Sequence, residues 1–184
     1  HGGNALYLIQ KTDLVTIEAA YAPSVASNTT AASSVAGTSG SGYDLAVHGG
    51  FGIEGLKVGY GISNKQSDSS VAGDVEGKTF GIKYSMSGIT AGVGRTTNTT
   101  AASVDTEITE YGISYQINDQ LSIGVTDTTL EKDAVATDEE FNSFQVGYDF
   151  GGMGVTLGYY QAENVGGVSG TDQESFEIRT VTKF

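Results

Sequence analysis

The C-terminal segment Gln173–Phe184 (QESFEIRTVTKF) constrains the fold most, because alternate residues differ in chemistry. One face is aromatic, aliphatic or hydroxyl and the other carries most of the charge, as expected for a strand, whose side chains alternate with a period of two. The residues of the first face are Phe176, Ile178, Thr180, Thr182 and Phe184, and those of the second are Ser175, Glu177, Arg179, Val181 and Lys183. A charged side chain facing lipid near the bilayer midplane costs about 2–4 kcal/mol. If this strand crosses a membrane, its charged face must therefore meet water.

The same alternation recurs along the chain and predicts ten strands from Leu14 onward, or eleven with Asn4–Ile9. The clearest example is Leu56–Ser63, in which large apolar residues alternate with lysine, glycine and serine. The predicted strands are Asn4–Ile9, Leu14–Tyr21, Asp44–Gly52, Leu56–Ser63, Lys78–Met86, Ile89–Thr96, Thr106–Ile117, Leu121–Glu131, Glu140–Phe150, Met153–Glu163 and Gln173–Phe184.

The connections between these strands alternate between tight turns and longer polar loops. The turns lie near Glu54, Gly88, Asp119 and Gly151, and loops such as Ala22–Gly42 lie between them. All turns then lie at one end of the sheet and all loops at the other, as in transmembrane barrels. We therefore predict an all-β, antiparallel up-and-down transmembrane β-barrel. A soluble β domain is the competing fold, and it would bury its apolar face inward.

Two charged residues interrupt the apolar face toward the loop end of their strands. Arg95 follows Ile89, Ala91 and Val93 on the apolar face, and Asp127 breaks that face in the same way on a later strand. Either a bulge resets the register there, or both residues lie above the apolar band.

Composition excludes several classes of function. The chain has no Cys, so a disulfide framework and a thiolate metal site are excluded. A formal charge of −13 disfavours nucleic acid as a partner, because nucleic-acid binding needs a basic surface. The sequence contains no run of about 20 apolar residues, so no transmembrane helix is predicted. The first residues, HGGNALYL, do not resemble a signal peptide, and we expect a fragment or a processed chain.

Several short motifs resemble Gram-negative outer-membrane general porins, of the type found in alphaproteobacteria. They are NALYL (Asn4–Leu8), VTIEAAYAP (Val15–Pro23), GYGIS (Gly59–Ser63), YGISYQI (Tyr111–Ile117), VGYDF (Val146–Phe150), VTLGYYQAE (Val155–Glu163) and FEIRTVTKF (Phe176–Phe184). The resemblance implies the bacterial outer membrane, a homotrimer and a sixteen-stranded barrel. It also implies that Phe176, Ile178 and Phe184 form the signal read by the barrel assembly machinery.

On this resemblance, residues 1–184 are a single porin domain, the C-terminal portion of a barrel that lacks its first five strands and its constriction loop. An open sheet edge in lipid leaves backbone groups unpaired, which costs several kcal/mol per group. We therefore expect either part of a larger barrel or a ten-stranded closure in which Leu14–Tyr21 pairs with Gln173–Phe184.

The predicted function is passive diffusion of small hydrophilic solutes and ions through a water-filled lumen, with outer-membrane lipid around the barrel. The candidate pore-lining residues are Glu18, His48, Lys57, Lys83, Glu110, Gln116, Asp149, Glu177, Arg179 and Lys183. The alternative is a non-porin outer-membrane barrel that acts as an adhesin or structural protein through its loops.

An enzyme is not expected, because His48 shares a face with Asp44 but no nucleophile accompanies them. No cofactor and no metal are expected. The acidic loop Asp133–Glu140 offers carboxylates to calcium but lacks the D-x-D-x-D-G spacing, which favours a solvated loop.

Overall fold

The computed structural model describes residues 6–23, 41–66, 74–100 and 105–182, which form one antiparallel sheet of eleven strands in chain order. The strands are β1 Leu6–Lys11, β2 Val15–Ala22, β3 Gly42–Gly49, β4 Leu56–Lys65, β5 Val75–Met86, β6 Ile89–Thr100, β7 Asp105–Gln116, β8 Leu121–Lys132, β9 Glu139–Asp149, β10 Met153–Glu163 and β11 Gln173–Thr182. A short 3₁₀ turn, Val165–Gly167, lies between β10 and β11. The predicted all-β, up-and-down architecture is confirmed.

Cross-strand pairing separates the residues of the sheet into two chemically distinct faces. Directly paired residues share a face, so one row of partners can be followed from strand to strand. An apolar row consists of Met86, Ile89, Tyr115, Ile123, Val146, Leu157 and Ile178. The neighbouring row on the opposite face consists of Ser85, Thr90, Ser114, Gly124, Gln145, Gly158 and Glu177. We call these the outer face and the inner face.

Strands β4 to β11 have the length that a membrane crossing requires. Each contains 10 to 12 residues. A tilted strand crosses the hydrocarbon core with about 9–11 residues. The outer face can therefore span a bilayer from the turn end to the loop end.

The tight turns owe their shape to a few residues with local hydrogen bonds or positive φ. Ser87 and Gly88 both have positive φ, of 51° and 82°, as a two-residue hairpin turn with the twist of its strands requires. The side-chain oxygen of Asn118 accepts bonds from the N–H groups of Gln120 and Leu121, each at 2.9 Å. Such side-chain bonds close the turn between β7 and β8.

Several predicted strand boundaries were wrong, including the start of β5, which lies at Val75 rather than Lys78. The predicted strand Asp44–Gly52 ends at Gly49, because Phe51 and Gly52 adopt positive φ within a turn. The predicted loop Thr97–Asp105 is shorter, because β6 continues to Thr100 and β7 begins at Asp105. Threonine-rich strand ends look like loops in sequence, since both of their faces are polar.

The ten-stranded closure was also wrong. Strand β2 pairs with β1 on one side and β3 on the other, so it is not available to β11. Among the described residues, β11 pairs with β10 alone.

In the described ranges of the chain, no helix is long and apolar enough to cross a membrane.

Candidate functional site

The inner face surrounds one large cavity. Residues of eight successive strands, from His48 on β3 to Thr156 on β10, line a cavity of about 1340 Å³. A flat sheet would not place these strands around a common space, so the sheet curls around it. Of the predicted pore-lining residues, this cavity brings together His48, Lys57, Lys83, Glu110 and Gln116.

Glycine forms much of the cavity wall between these side chains. Gly59, Gly81 and Gly94 are successive cross-strand partners on β4, β5 and β6, and Gly92 pairs with Gly112 one row away. A residue without a side chain leaves the space above the sheet open. Lys57, Lys83 and Glu110 therefore extend beyond the neighbouring glycines, which have no side chains.

Charge on the inner face is balanced, although the whole chain carries −13. The described inward bases are Lys11, Lys57, Lys65, Lys83, Lys132 and Arg179. The described inward acids are Glu18, Asp44, Glu110, Glu139, Asp149 and Glu177. The excess of negative charge therefore lies elsewhere, in loops and on the upper outer face.

Several predicted pore-lining residues contact each other. His48 Nε2 lies 3.3 Å from Glu18 Oε1, with both side chains half exposed. Arg179 Nη2 donates to Glu177 Oε1 at 3.1 Å. Exposed ion pairs of this kind contribute little stability, but the opposite charges of Glu177 and Arg179 cancel most of each other's field in the lumen.

Lys57, Lys83 and Glu110 are different, because no ion pair joins any of them to another described residue. Lys57 and Lys83 are direct cross-strand partners. Glu110 pairs with Gly94 and Thr128, neither of which carries charge. These three residues are the unpartnered charges of the cavity wall.

Two other predicted residues have structural contacts at the turn end. Gln116 donates through Nε2 to the Asn118 carbonyl at 2.6 Å. Asp149 Oδ1 accepts the N–H of Gly151 at 2.7 Å. Both side chains also border a smaller depression of about 530 Å³. Lys183 and Phe184 lie outside the described residues.

The remaining residues of the predicted assembly signal lie on the outer face of β11. Phe176 pairs with Tyr159, and Ile178 pairs with Leu157. Their side chains are 66% and 64% exposed, as expected for groups that meet lipid rather than protein.

Tyr160 is an inner-face residue that sequence reasoning did not single out. Its hydroxyl donates to Glu177 Oε2 at 3.0 Å, and its ring lies over Gly158. A Cβ on Gly158 would lie only 2.6 Å from the ring carbon Cε2. The ring therefore lies against the wall instead of projecting into the cavity. The strand pattern places Tyr160 and Gly158 on one face, but it does not predict that the ring folds back.

A second feature that sequence reasoning missed joins two loops at the mouth of the cavity. Glu139 is buried and accepts a bond from Lys132 Nζ at 2.6 Å. This bond and one from the backbone of Gly166 hold the pKa of Glu139 below its usual value. Glu139 lies at the loop end, beyond the apolar band. Asn164 Nδ2 also donates to the Asp138 carbonyl at 3.3 Å. The loop 164–172 is thereby attached to the loop 133–138.

The outer face shows why Arg95 and Asp127 break the apolar pattern. Arg95 pairs with Phe80 and Thr109, and Asp127 pairs with Tyr111, in ladders that run without a register shift. The bulge alternative is therefore wrong, and both residues lie directly above the apolar band. Arg95 also forms an ion pair with Glu107.

The same upper zone of the outer face holds much of the acidic excess. The outward acids above the band are Glu76, Asp105, Glu107, Asp127, Glu131, Glu140, Glu163 and Glu174. Among the described residues of this zone, Lys78 and Arg95 are the bases. In the described ranges, no group of three or more His, Asp or Glu side chains is arranged to hold a metal ion.

Comparison with solved structures finds the same fold. A porin refined at 1.8 Å resolution matches with a TM-score of 0.76 and 14% identity, over 98% of this chain and 61% of that chain. The anion-selective porin from Comamonas acidovorans matches with a TM-score of 0.72 and 10% identity, over 96% of this chain and 57% of that one. In-vitro folded OmpT, an outer membrane protein of Vibrio cholerae in its trimer form, matches with a TM-score of 0.57 and 13% identity, over 96% of this chain and 61% of that chain.

The chain thus spans about three fifths of the length of these solved structures. No curated protein sequence is significantly similar to it. The family model of the Gram-negative porin, however, matches residues 1–181. The chain therefore belongs to the Gram-negative porin family and is a protein of the outer membrane.

Proposed function

We propose that this chain forms the wall of a water-filled channel, through which small hydrophilic solutes and ions diffuse passively across the outer membrane. The observation that carries this proposal is the inner face, where eight strands surround one cavity lined by glycines, hydroxyls and a few charged side chains. Such a surface is well hydrated, and rings of charged side chains bias which ions pass.

The predicted pore-lining residues have unequal roles in this proposal. Lys57, Lys83 and Glu110 carry unpartnered charge and act on passing ions directly. The Glu177–Arg179 pair acts mainly as a dipole, because its opposite charges sum to zero, and Glu18 is held in place by its contact with His48. Gln116 and Asp149 shape the turn-side mouth, and Lys183, which lies outside the described residues, stays a predicted pore-lining residue.

The channel carries out no catalysis and uses no cofactor in this proposal. Its single histidine on the described inner face, His48, is bound to Glu18. A hydrolytic triad would need a nucleophilic hydroxyl within hydrogen-bond reach of that ring. Diffusion requires an open path instead, and the inward glycines supply it.

The alternative, an adhesin or structural barrel, is less well supported. A barrel without transport function would fill its interior with large interlocking side chains. Here the wall is glycine-rich, and even the ring of Tyr160 folds against it. The interior therefore favours diffusion over a purely structural role.

The proposal includes partners that follow from membership of the family. Residues 1–184 act as one porin domain, supported by a single continuous ladder of strands. A homotrimer is proposed by analogy with the trimer form of the Vibrio cholerae protein. The barrel assembly machinery would read the outer-face residues Phe176 and Ile178 together with Phe184.

Planar-bilayer recording of the purified protein tests the channel. We expect stepwise ohmic currents whose conductance rises in proportion to salt concentration, because ions cross in water. A folded, membrane-inserted protein that passes no current would refute the proposal. Folding is checked separately by heat-modifiable mobility on gels.

A further inference from the structure

The inner face carries two lysines in an energetically unfavourable arrangement. Lys57 on β4 and Lys83 on β5 are directly opposite each other. Direct partners have Cβ atoms about 4.5–5.5 Å apart, and like charges at such positions destabilise a sheet. Among the described residues, no carboxylate forms an ion pair with either ammonium group. The pair therefore lacks a protein counter-charge.

Among the described acids on the inner face, the nearest one without an ion pair, Glu110, is too far away to neutralise the pair. Lys83 pairs with Gly92, Gly92 pairs with Gly112, and Glu110 lies two residues beyond Gly112 on β7. Two strand spacings and two residue steps separate the backbones of Lys83 and Glu110 by about 12 Å. The Debye length at physiological salt is about 8 Å. Glu110 is thus largely screened from the lysines in a wet lumen.

The surroundings of the pair leave room for a ligand and offer it hydrogen bonds. Gly59, Gly81 and Gly92 lie beside the lysines on the inner face, so no side chain covers the ammonium groups from these positions. Ser85 Oγ lies 2.9 Å from Thr90 Oγ1, one step toward the turn. One hydroxyl of that pair donates to the other, which leaves the second hydroxyl's hydrogen free for an external acceptor.

We propose that Lys57 and Lys83 form a subsite for doubly charged oxyanions, such as hydrogen phosphate, on the turn-side half of the inner wall. Two ammonium groups match the charge of a dianion, and several N–H donors match its oxygens. This subsite rests on the proposed function, because a water-filled lumen is what brings solutes to it. It assigns to the channel a preference among anions that the balanced charge of the whole wall does not predict.

Lysine modification in the wild-type protein tests the subsite without requiring current. The folded protein is treated with an amine-reactive reagent in phosphate or in chloride of equal ionic strength, and modification of each lysine is followed by mass spectrometry. Lys65 is the internal control, because it lies on the inner face of β4 opposite Val75, with no second lysine. We expect phosphate to slow modification of Lys57 and Lys83 at least threefold and to leave Lys65 unchanged.

Variants then test whether both lysines are needed. In Lys83→Gln, phosphate should no longer protect Lys57, whereas in the matched variant Lys65→Gln the protection should persist. In bilayer recordings, phosphate should reduce chloride current with a half-saturation concentration that each of Lys57→Gln and Lys83→Gln raises about fivefold, as expected for loss of one charge contact in water.

The outcomes separate the subsite from the channel. Equal slowing of all lysines, or slowing of none, overturns the subsite even if the protein conducts. Protected lysines in a protein that passes no current would support the subsite and refute the channel. Currents that phosphate reduces equally in wild type and in both single variants would also overturn the subsite.

Discussion

Placing a charge within the apolar band of β9 would test the assignment of the outer face. Val146 lies in a row of apolar partners, between Ile123 and Leu157. Asn142 lies on the same strand and face, four residues toward the loop end, where it pairs with Asp127 and Gln161. Four residues correspond to about 14 Å along a strand. Val146→Lys and Asn142→Lys therefore differ in depth but not in chemistry.

The expected penalty follows from this depth. A lysine facing lipid near the midplane costs about 2–4 kcal/mol, and one near the interface costs about 0–1 kcal/mol. With a guanidinium m-value of about 4 kcal/mol/M, a loss of about 3 kcal/mol lowers the unfolding midpoint by about 0.75 M. We expect this shift for Val146→Lys and almost none for Asn142→Lys, where Asp127 is adjacent.

The assay is equilibrium unfolding of the protein in lipid vesicles. The chain contains no Trp, so heat-modifiable gel mobility is a suitable readout of the folded fraction. If both variants unfold at the same guanidinium concentration, the outer face does not meet hydrocarbon and the reasoning fails. A larger effect of Asn142→Lys would contradict the depth assigned to the band.

Three further predictions concern the inner face. Lys83→Gln should shift the reversal potential toward cations at least twice as far as the double change Glu177→Gln with Arg179→Gln, because removing both members of an ion pair leaves the net charge of the lumen unchanged. Gly158→Val should push the Tyr160 ring into the cavity and lower single-channel conductance, since even a Cβ would lie 2.6 Å from the ring. The Glu139 contact should hold the two loops together at neutral pH and release them only as the pH falls below the usual carboxyl range, because the pKa of Glu139 is lowered in the folded state. Hydrogen exchange in the loop 164–172 measures this release.

Each of these predictions has a control. The double change Gly158→Val with Tyr160→Ala should restore conductance, and failure to do so would locate the obstruction elsewhere. Glu139→Gln should remove the pH dependence of loop exchange, and persistence of that dependence would assign it to other groups. Equal selectivity shifts from Lys83→Gln and from the double change Glu177→Gln with Arg179→Gln would contradict the distinction between paired and unpaired charges.

Alternation in the sequence predicted the strands and faces because the period of two is a direct consequence of strand geometry. It was least accurate at the loop ends. Thr97 to Thr100 continue β6, yet hydroxyl side chains on both faces give no contrast. The position of Arg95 was also not predictable, since the pattern of one strand cannot distinguish a bulge from the edge of the apolar band. Pairing with Phe80 and Thr109 decides between them.

The contacts of the inner wall were only partly predictable. Strand parity placed Lys57, Lys83 and Glu110 inward, but it contains no information on cross-strand register. Register makes the two lysines direct partners and leaves the glutamate two strands away. The ion pair between Glu139 and Lys132 depends on the conformation of the loop that connects β8 to β9. Strand periodicity does not specify that conformation.

The measurement that tests the central claim most directly is thiol accessibility along β7. The chain has no native Cys, so single cysteines can be placed at Gly112 and Ser114 on the inner face and at Ile113 and Tyr115 on the outer face. A Cβ at Gly112 meets its nearest neighbour at an ordinary 3.6 Å. In lipid vesicles, a charged, water-soluble maleimide should label the two inner cysteines rapidly and the two outer cysteines very slowly. Equal labelling of all four, or faster labelling of the outer pair, would contradict a wet inner face and a lipid-facing outer face.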